Sequence, residues 1–450
     1  MAMAKRIEPR ILKGFRDSLP YGAQGEILRR RVIENLARIF ERAGFDTIDT
    51  PALELAEILL GKAGGETEKQ IYRFCDNGGR DVVLRFDLTV PFARFVAQHA
   101  QELYFPFKRY HIAKVWRGEN AQRGRYREFY QCDFDIVGDE SVVSDFCILQ
   151  TAHNALRYLR NDYPALGNLR THVNHRGLLR AFWQLWNVPE DAQVLALRAI
   201  DKLHKIGRDA VAKELESVLP AKIAAALRLC LDSTEYDRWE QLFLQWGDHL
   251  PAEAVAALAD LRDLSEFAAS CGMELHFDPA IVRGLDYYTG MVFETFLEEL
   301  PGLGSICSGG RYDGLTQLYS KKAMPGVGAS IGLDRLLAGL EELGNDGSGG
   351  EAGIIIGIDP DWTAGASDTA AYTACLRFSQ DLQEAAVACD IVPYTKKINA
   401  LFQRAEKRHS RYLLLLKPDF TWQLRDLSAR KNFAVVSAAD VIRQVSAPTF

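Results

Sequence analysis

The stretch Ile281-Val-Arg-Gly-Leu-Asp-Tyr-Tyr-Thr-Gly-Met-Val-Phe-Glu294 places an arginine, two tyrosines and an aspartate between glycines and then runs into apolar residues. A guanidinium, two phenols and a carboxylate offer several hydrogen bonds and charges in a short space, which favours a binding loop. The plainer interpretation is a polar turn followed by a strand over 291–293. A second glycine-rich stretch, Ser305-Ile-Cys-Ser-Gly-Gly-Arg-Tyr-Asp-Gly314, follows closely.

Both stretches resemble signatures of the histidyl-tRNA synthetase family, the first its histidine-binding motif and the second its glycine-rich segment. The resemblance implies a wall of tyrosines around the imidazole of histidine, formed by Tyr287, Tyr288 and Tyr312. It also implies that Arg283 faces the α-phosphate of ATP, where negative charge builds up during the reaction.

Length and composition limit the possibilities. With 450 residues the chain has room for two or three domains, each with its own core. A formal net charge of −6 means that any contact with tRNA has to come from local basic patches. We find no apolar signal-peptide core and no stretch near the roughly 20 apolar residues of a membrane span. Eight dispersed cysteines without a Cys-x-x-Cys pair predict reduced thiols and no metal site. We expect a cytoplasmic protein that does not bind membranes.

Apolar residues at helical spacing predict a helix over 27–43 that stops at Gly44. A strand over 45–50 should follow and end at Pro51. The succession of helix, strand and proline resembles motif 1 of class II aminoacyl-tRNA synthetases. The resemblance implies that this segment forms the interface of a homodimer.

The stretch Val82-Val-Leu-Arg-Phe-Asp-Leu-Thr-Val-Pro91 predicts a strand that ends near two polar side chains, Asp87 and Thr89. Without further evidence these side chains are a polar sheet rim. The family resemblance implies that they hold the α-ammonium group of histidine, for which a carboxylate is the natural partner. Gln131 is expected to join them.

The segment from Trp116 to Asp135 resembles class II motif 2. This resemblance predicts two antiparallel strands joined by a loop. The resemblance implies that Arg117 and Arg125 contact the phosphates of ATP. It also implies that Glu119 accepts a hydrogen bond from the adenine amine and that Phe129 stacks on the adenine ring. Asp135 is expected to accept a hydrogen bond from the imidazole. The loop residues Gln122 and Arg123 are expected to contact the acceptor end of tRNA(His).

Gly326-Val-Gly-Ala-Ser-Ile-Gly-Leu-Asp-Arg335 lacks the Gly-x-Gly-x-x-Gly spacing and the preceding βαβ unit of a dinucleotide site. It resembles class II motif 3, which implies that Arg335 faces the γ-phosphate of ATP. The pattern in turn implies Mg²⁺ on the ATP phosphates.

The predicted fold class is α/β, with an antiparallel class II sheet flanked by helices. We predict a catalytic domain in two parts (1–170 and 275–343), a helical insertion (171–274), a linker (344–352) and a small α/β domain (353–450). Residues 391–431 carry ten Lys or Arg against three acids. This local basic surface resembles the family's anticodon-binding domain, although it also fits a solvated charged face.

The resemblance therefore implies a histidine–tRNA ligase that binds ATP, Mg²⁺, L-histidine and tRNA(His). Two alternatives stay open: a non-catalytic regulatory relative that binds an effector through the same fold, and a class II-like ligase for another amino acid. ATP–pyrophosphate exchange with each amino acid separates all three.

Overall fold

The computed structural model forms two compact units, Met1–Asp17 with Arg29–Gly344 and Ser18–Leu28 with Asn345–Phe450. The structure describes residues 7–22, 24–60, 70–120, 124–282, 288–314, 316–319, 324–344, 353–362 and 369–446.

The strands of the described residues are β1 Asp46–Thr47, β2 Leu53–Leu55, β3 Arg73–Cys75, β4 Asp81–Leu84, β5 Phe107–Trp116, β6 Glu128–Val137, β7 Leu169–His175, β8 Leu275–Phe277, β9 Met291–Leu297, β10 Cys307–Tyr312, β11 Gly326–Gly332, β12 Ile354–Ile358, β13 Cys389–Ile391, β14 Tyr412–Leu416, β15 Trp422–Asp426 and β16 Lys431–Val435.

The α-helices are α1 Glu26–Arg42, α2 Ala56–Leu60, α3 Thr89–His99, α4 Val142–Asp162, α5 Arg176–Leu185, α6 Glu190–Ile200, α7 Leu203–Ile206, α8 Arg208–Val218, α9 Ala221–Leu231, α10 Tyr236–Trp246, α11 Ala252–Ser270, α12 Leu333–Glu342, α13 Thr369–Glu384, α14 Ile398–Lys407 and α15 Ala438–Ser446. Short 3₁₀ turns lie at Pro164–Leu166, Pro301–Leu303 and Thr316–Leu318.

The larger unit is built on a sheet with the strand order β1-β5-β6-β11-β10-β9-β7-β8. The neighbours from β5 to β7 pair antiparallel, whereas the outer pairs β1–β5 and β7–β8 are parallel. This confirms the predicted fold class, an antiparallel-rich sheet flanked by helices. The two long strands of motif 2 pair from Trp116 opposite Glu128 to Phe107 opposite Val137.

The apolar face of β6 forms part of the core. Phe134 is fully buried and stacks on Phe40 of α1, with ring centroids 4.8 Å apart. Phe45 meets the same ring edge-on at 5.9 Å. The helical spacing of the apolar residues in α1 is what places Phe40 against the sheet. At the end of this helix Gly44 has φ +80°, which is the left-handed stop that its sequence predicts.

Three segments differ from the sequence-based expectations. Only Asp46–Thr47 of the predicted 45–50 strand pairs with a neighbour, at an exposed sheet edge. Strand β4 ends at Leu84, and Thr89 opens helix α3. Strand β7 overlaps the start of the predicted helical insertion but pairs with β9 in the main sheet, so the helices of this segment begin at Arg176. Sequence periodicity marks β7 as a strand but does not say which sheet it joins.

The smaller unit contains a five-stranded sheet in the order β13-β12-β14-β15-β16, as far as the described residues show. Its first three strands are parallel and its last three antiparallel. Helices α13 and α15 contribute to the core cluster on one side of this sheet, and α14 contributes to the cluster on the other. The sequence analysis predicted a small α/β domain here without assigning its elements, so the hairpin β15–β16 was not anticipated. The predicted linker lies largely outside the described residues.

Residues 18–28 belong to the smaller unit. The Tyr21 hydroxyl accepts a hydrogen bond from Nε of Arg408 at 3.0 Å, and its ring lies 5.6 Å from that of His409. All eight cysteines are free thiols. Within the described part of the chain, no helix combines the length and apolar character that crossing a membrane requires.

Replacing the buried ring of Phe134 tests the link between α1 and the sheet. Phe134→Ala is expected to lower the free energy of unfolding by about 3–5 kcal/mol, because it leaves a cavity beside Phe40 and Phe45. Urea unfolding of the full chain measures this change. The control is Leu244→Ala on α10, since Leu244 is 53% exposed and its loss should cost less than about 0.5 kcal/mol. Equal effects of the two substitutions would contradict this packing.

Candidate active site

A cavity of about 1550 Å³ opens on the larger unit and runs along strand β6. Every predicted site residue that the structure describes lines it: Asp87, Thr89, Arg117, Glu119, Arg125, Phe129, Gln131, Asp135, Tyr288, Tyr312 and Arg335. Four other predicted residues, Gln122, Arg123, Arg283 and Tyr287, lie outside the described residues. The sequence prediction therefore selected residues that the fold brings together from five separate segments.

One end of the cavity carries arginine and an aromatic ring. Arg117 follows the end of β5, and its Nε donates to the backbone oxygen of Phe86 at 2.8 Å. Its guanidinium carbon lies 5.3 Å from the ring centroid of Phe129, while Nη1 is 3.8 Å from the Glu119 carboxylate. A fixed cation next to an aromatic face and a carboxylate suits a ligand that has an anionic group and a planar base.

The start of α12 supplies a second arginine to the same cavity. Arg335 donates from Nη1 to the backbone oxygen of Ser305, and the Ser305 hydroxyl donates to Glu294 at 2.9 Å. The preceding residue, Asp334, accepts from the backbone N–H of Tyr130 at 2.9 Å and pairs with Arg16. The turn between β11 and α12 is therefore fastened to β6 while Arg335 lies along the cavity wall.

Asp87 lies just before helix α3, and its Oδ1 accepts a hydrogen bond from the Val90 N–H at 3.1 Å. Burial raises the pKa of Asp87 to about 6, although the hydrogen bond from Val90 and the charge of Arg117 act in the opposite direction. A cationic ligand group at this position would stabilise the ionised form of Asp87 and lower its pKa again.

Strand β6 turns alternate residues toward the cavity, so Gln131, Asp133 and Asp135 share one face with Phe129. Asp133 is almost completely buried. Burial raises the pKa of Asp133 to about 7, an effect that nearby Asp135 strengthens and Arg109 weakens. The Gln131 amide nitrogen lies 3.4 Å from both Asp133 Oδ1 and the Ser330 hydroxyl.

Asp135 lies at the inner end of the cavity. Its Oδ1 accepts from the Tyr312 hydroxyl at 2.6 Å, and its Oδ2 is 2.7 Å from Nη2 of Arg109. Across the β6–β11 pairing, residue 328 is directly opposite. A Cβ on Gly328 would lie 1.8 Å from Asp135 Oδ1, so only glycine leaves room for the carboxylate.

The sequence analysis missed several residues of the cavity. The alternation of side chains along the strand could have predicted Asp133, because it lies between Gln131 and Asp135 on the same face. The sequence gives a weaker indication for Arg109, which is directly opposite Asp135 in the motif 2 hairpin. Asp201, His204 and Lys205, in or next to α7, also line the cavity. Nothing in their local sequence points to this position, because it depends on how the helical segment folds back.

The architecture and the site together define a class of protein. A hairpin with Arg117 and Glu119, followed later by a strand and helix with Arg335, on one antiparallel sheet, is the arrangement of class II aminoacyl-tRNA synthetases. The family model described as histidyl-tRNA synthetase matches residues 14–336, and the chain belongs to this family.

Individual relatives agree with this assignment. The chain is 46% identical over 430 residues to the histidine–tRNA ligase of Treponema denticola, covering 94% of this chain and 90% of the relative. It is 41% identical over 408 residues to that of Rhodopirellula baltica, covering 89% and 88% of the two chains.

Solved structures agree as well. The crystal structure of histidyl-tRNA synthetase from Nostoc sp. PCC 7120 superposes with a TM-score of 0.83 at 28% identity, covering 98% of this chain and 99% of that chain. An ATP phosphoribosyltransferase regulatory subunit/histidyl-tRNA synthetase from Bacillus halodurans gives a TM-score of 0.70 at 23% identity, covering 89% of this chain and 97% of the other. The second similarity concerns the fold alone.

The raised pKa of Asp133 predicts a pH-dependent stability difference. An unfolded carboxyl with the ordinary pKa of 3.8 ionises first, so Asp133 destabilises the folded state progressively from about pH 4 to about pH 7 and by a constant amount above that. Asp133→Asn removes this penalty. The variant should gain about 2–4 kcal/mol relative to the parent protein between pH 4 and pH 8.

Urea unfolding over this pH range measures the difference. Asp139→Asn is the control with the opposite sign, because hydrogen bonds from Ser144 and Ser141 outweigh burial and lower the pKa of Asp139. That variant should be less stable than the parent protein by a nearly constant amount between pH 4 and pH 8, because its pH-dependent change falls below about pH 4. A pH-independent effect of Asp133→Asn would contradict the assignment of a protonated carboxyl.

Proposed function

We propose that this chain is a histidine–tRNA ligase that first joins histidine to AMP and then transfers the histidyl group to the 3′ end of tRNA(His). The observation that carries the proposal is the division of the cavity along β6. Phe129 and Arg117 lie at one end, and Asp135 with Tyr312 lies at the other. Asp135 lies six positions after Phe129, which is about 20 Å along a strand. This length suits an amino acid placed end to end with a nucleotide.

The carboxylate end is suited to histidine. Asp87 and Thr89, with Gln131 opposite, would bind the α-ammonium group, and the raised pKa of Asp87 favours such a cation. Asp135, Tyr312, Tyr288 and Tyr287 would surround the imidazole. Neutral imidazole has one N–H donor and one acceptor, so buried hydrogen-bonding partners distinguish it from apolar side chains of similar size.

The arginine end is suited to ATP. Phe129 would stack on the adenine, Glu119 would accept from its amine, and Arg125 and Arg335 would neutralise the outer phosphates. The described residues contain no group of three His, Cys, Asp or Glu side chains arranged to hold a metal ion. When bound with ATP, Mg²⁺ would supply charge neutralisation on the phosphates.

In the first step a histidine carboxylate oxygen attacks the α-phosphorus, and the bond to the bridging oxygen of pyrophosphate breaks. Arg117 and, by its sequence motif, Arg283 would stabilise the charge on the α-phosphate. This displacement needs neither a protein nucleophile nor a protein base, so positioning and fixed charge provide the catalysis. In the second step the terminal ribose hydroxyl of the tRNA attacks the histidyl carbonyl and AMP leaves.

The tRNA would be held at two places. Gln122 and Arg123 lie in the motif 2 loop, and the smaller unit carries the basic segment 391–431. Part of this charge is neutralised internally: Arg411 pairs with Asp426 at 2.8 Å, and Lys417 with Asp359 at 2.6 Å. Lys397, at the start of α14, is exposed and makes no ion pair with another described residue, so it is a candidate for a phosphate contact.

Assembly and location complete the proposal. The motif 1 segment supports a homodimer, because the short edge strand β1 is exposed. Eight free cysteines are consistent with the reducing conditions of the cytoplasm. A purely regulatory role is less well supported, since Arg117, Glu119 and Arg335 all line the cavity and the C-terminal sheet domain is present.

Histidine-dependent ATP–pyrophosphate exchange tests the first step. Exchange should require histidine among the twenty amino acids, and Arg117→Ala should slow it by about 10²–10³ because a preorganised charge at the α-phosphate is lost. The control is Arg262→Ala on the surface of the insertion, which should leave exchange unchanged. Exchange with a different amino acid, or none at all, would refute the proposed function.

Removing a phosphate contact tests the role of the smaller unit. Lys397→Ala should weaken tRNA(His) charging and reduce the dependence of tRNA affinity on salt, while pyrophosphate exchange stays normal. The matched control is Arg377→Ala, an exposed cation on α13 across the sheet from α14. Equal charging defects for both variants, or none for Lys397→Ala, would argue against a tRNA contact at α14.

A further inference from the structure

Three strands contribute one side chain each to a chain of contacts at the inner end of the cavity. Arg109 comes from β5, Asp135 from β6 and Tyr312 from β10. Nη2 of Arg109 is 2.7 Å from Asp135 Oδ2, and the Tyr312 hydroxyl donates to Asp135 Oδ1 at 2.6 Å. Tyr312 and Asp135 line the cavity, whereas Arg109 lies behind them.

Burying the charged side chain of Arg109 at this position is unfavourable for the stability of the folded protein. It is 0% exposed, and its Nε and Nη1 find no hydrogen-bond partner among the described residues. Its guanidinium carbon lies 4.2 Å from the ring centroid of Phe92. Replacing a buried ion pair with apolar residues is often neutral or stabilising, so packing alone does not explain the arginine.

The hydrogen-bond directions along this chain are fixed. A phenol has one O–H, and Tyr312 directs its O–H to Asp135, so this O–H is not available as a donor to a ligand. An ionised Asp135 also has lone pairs only. The inner wall of the cavity is then made of acceptors, and it favours a ligand with an N–H at this position.

Maintaining this state requires a nearby cation. Asp133 on the same strand and Asp87 before α3 bring two more carboxyls close to Asp135. Strand β11 contributes uncharged residues to the cavity lining, namely Gly328, Ala329, Ser330 and Gly332. Burial raises the pKa of Asp135, and Arg109 and the Tyr312 hydroxyl both act to lower it. Without Arg109, Asp135 would bind a proton and become a donor.

We propose that Arg109 is a specificity-determining positioning residue, which keeps Asp135 and Tyr312 as acceptors so that the site selects a ring with an N–H. This inference rests on the proposed histidine activation. Arg109 does not touch the ligand in this account; it acts through Asp135. The structural consequence is that selectivity between a donor ring and an acceptor ring depends on a residue outside the cavity wall.

The test measures pyrophosphate exchange of the full-length Arg109→Met variant with histidine and with thiazolylalanine, whose ring nitrogen only accepts. At pH 7 the KM for histidine should rise about 10- to 100-fold, since a buried hydrogen-bonding arrangement is broken. Preference for histidine over thiazolylalanine should fall as well. Both effects should diminish as the pH is raised, because Asp135 ionises at higher pH, and the KM for ATP should stay unchanged.

The matched control is Arg94→Met, which breaks the pair of Arg94 with Glu54, 2.7 Å apart and away from the cavity lining. It should alter neither the KM for histidine nor its pH profile. The double variant Arg109→Met/Asp135→Asn removes both charges, so it should regain stability without regaining selectivity.

An unchanged histidine KM in Arg109→Met, or a defect that does not vary with pH, would overturn the inference. If Arg109→Met does not fold, Tyr312→Phe decides: histidine affinity equal to that of the parent protein would also overturn it. Absence of histidine-dependent exchange in the parent protein would instead refute the proposed function.

Discussion

A single β-strand has to carry a row of polar side chains into the interior of the protein. Because side chains alternate along β6, Gln131, Asp133 and Asp135 face the cavity while Phe134 enters the core on the other side. Buried carboxyls are unfavourable unless they are protonated, paired or hydrogen-bonded. The neighbouring strands meet this requirement: β5 supplies a cation, β10 a hydroxyl, and β11 a glycine where any side chain would collide with Asp135.

A second buried carboxylate connects the segments around the ATP end of the cavity. Asp334 accepts from Arg16, from Arg29 and from the Tyr130 N–H. The N-terminal segment, helix α1 and strand β6 therefore converge on the first turn of α12. The same turn positions Arg335, so the residue that is expected to meet the γ-phosphate is held by contacts distributed over more than three hundred residues of sequence. Removing one partner of such a buried network leaves the others unpaired.

The same fold occurs in proteins with different roles, and the fold similarity does not separate them. The superposition with the Bacillus halodurans chain, at 23% identity, shows the architecture alone. What distinguishes this chain is the set of side chains along one cavity, together with relatives at 41–46% identity that are named histidine–tRNA ligases. The proposed activity depends on the arginines and on the groups proposed to face the adenine.

The sequence by itself determined the family, the long hairpin of motif 2, the helix α12 and the residue types of the site, because these depend on local spacing and on short motifs. It did not determine that β7 joins the main sheet, that residues 18–28 belong with the smaller unit, or that the insertion brings His204 and Lys205 to the cavity. The sequence predicted Asp135 as a ligand-binding residue, but it did not predict which side chains contact Asp135. Those partners, Arg109 and Tyr312, come from other strands, and only the pairing of β5, β6, β11 and β10 brings their side chains within hydrogen-bonding distance.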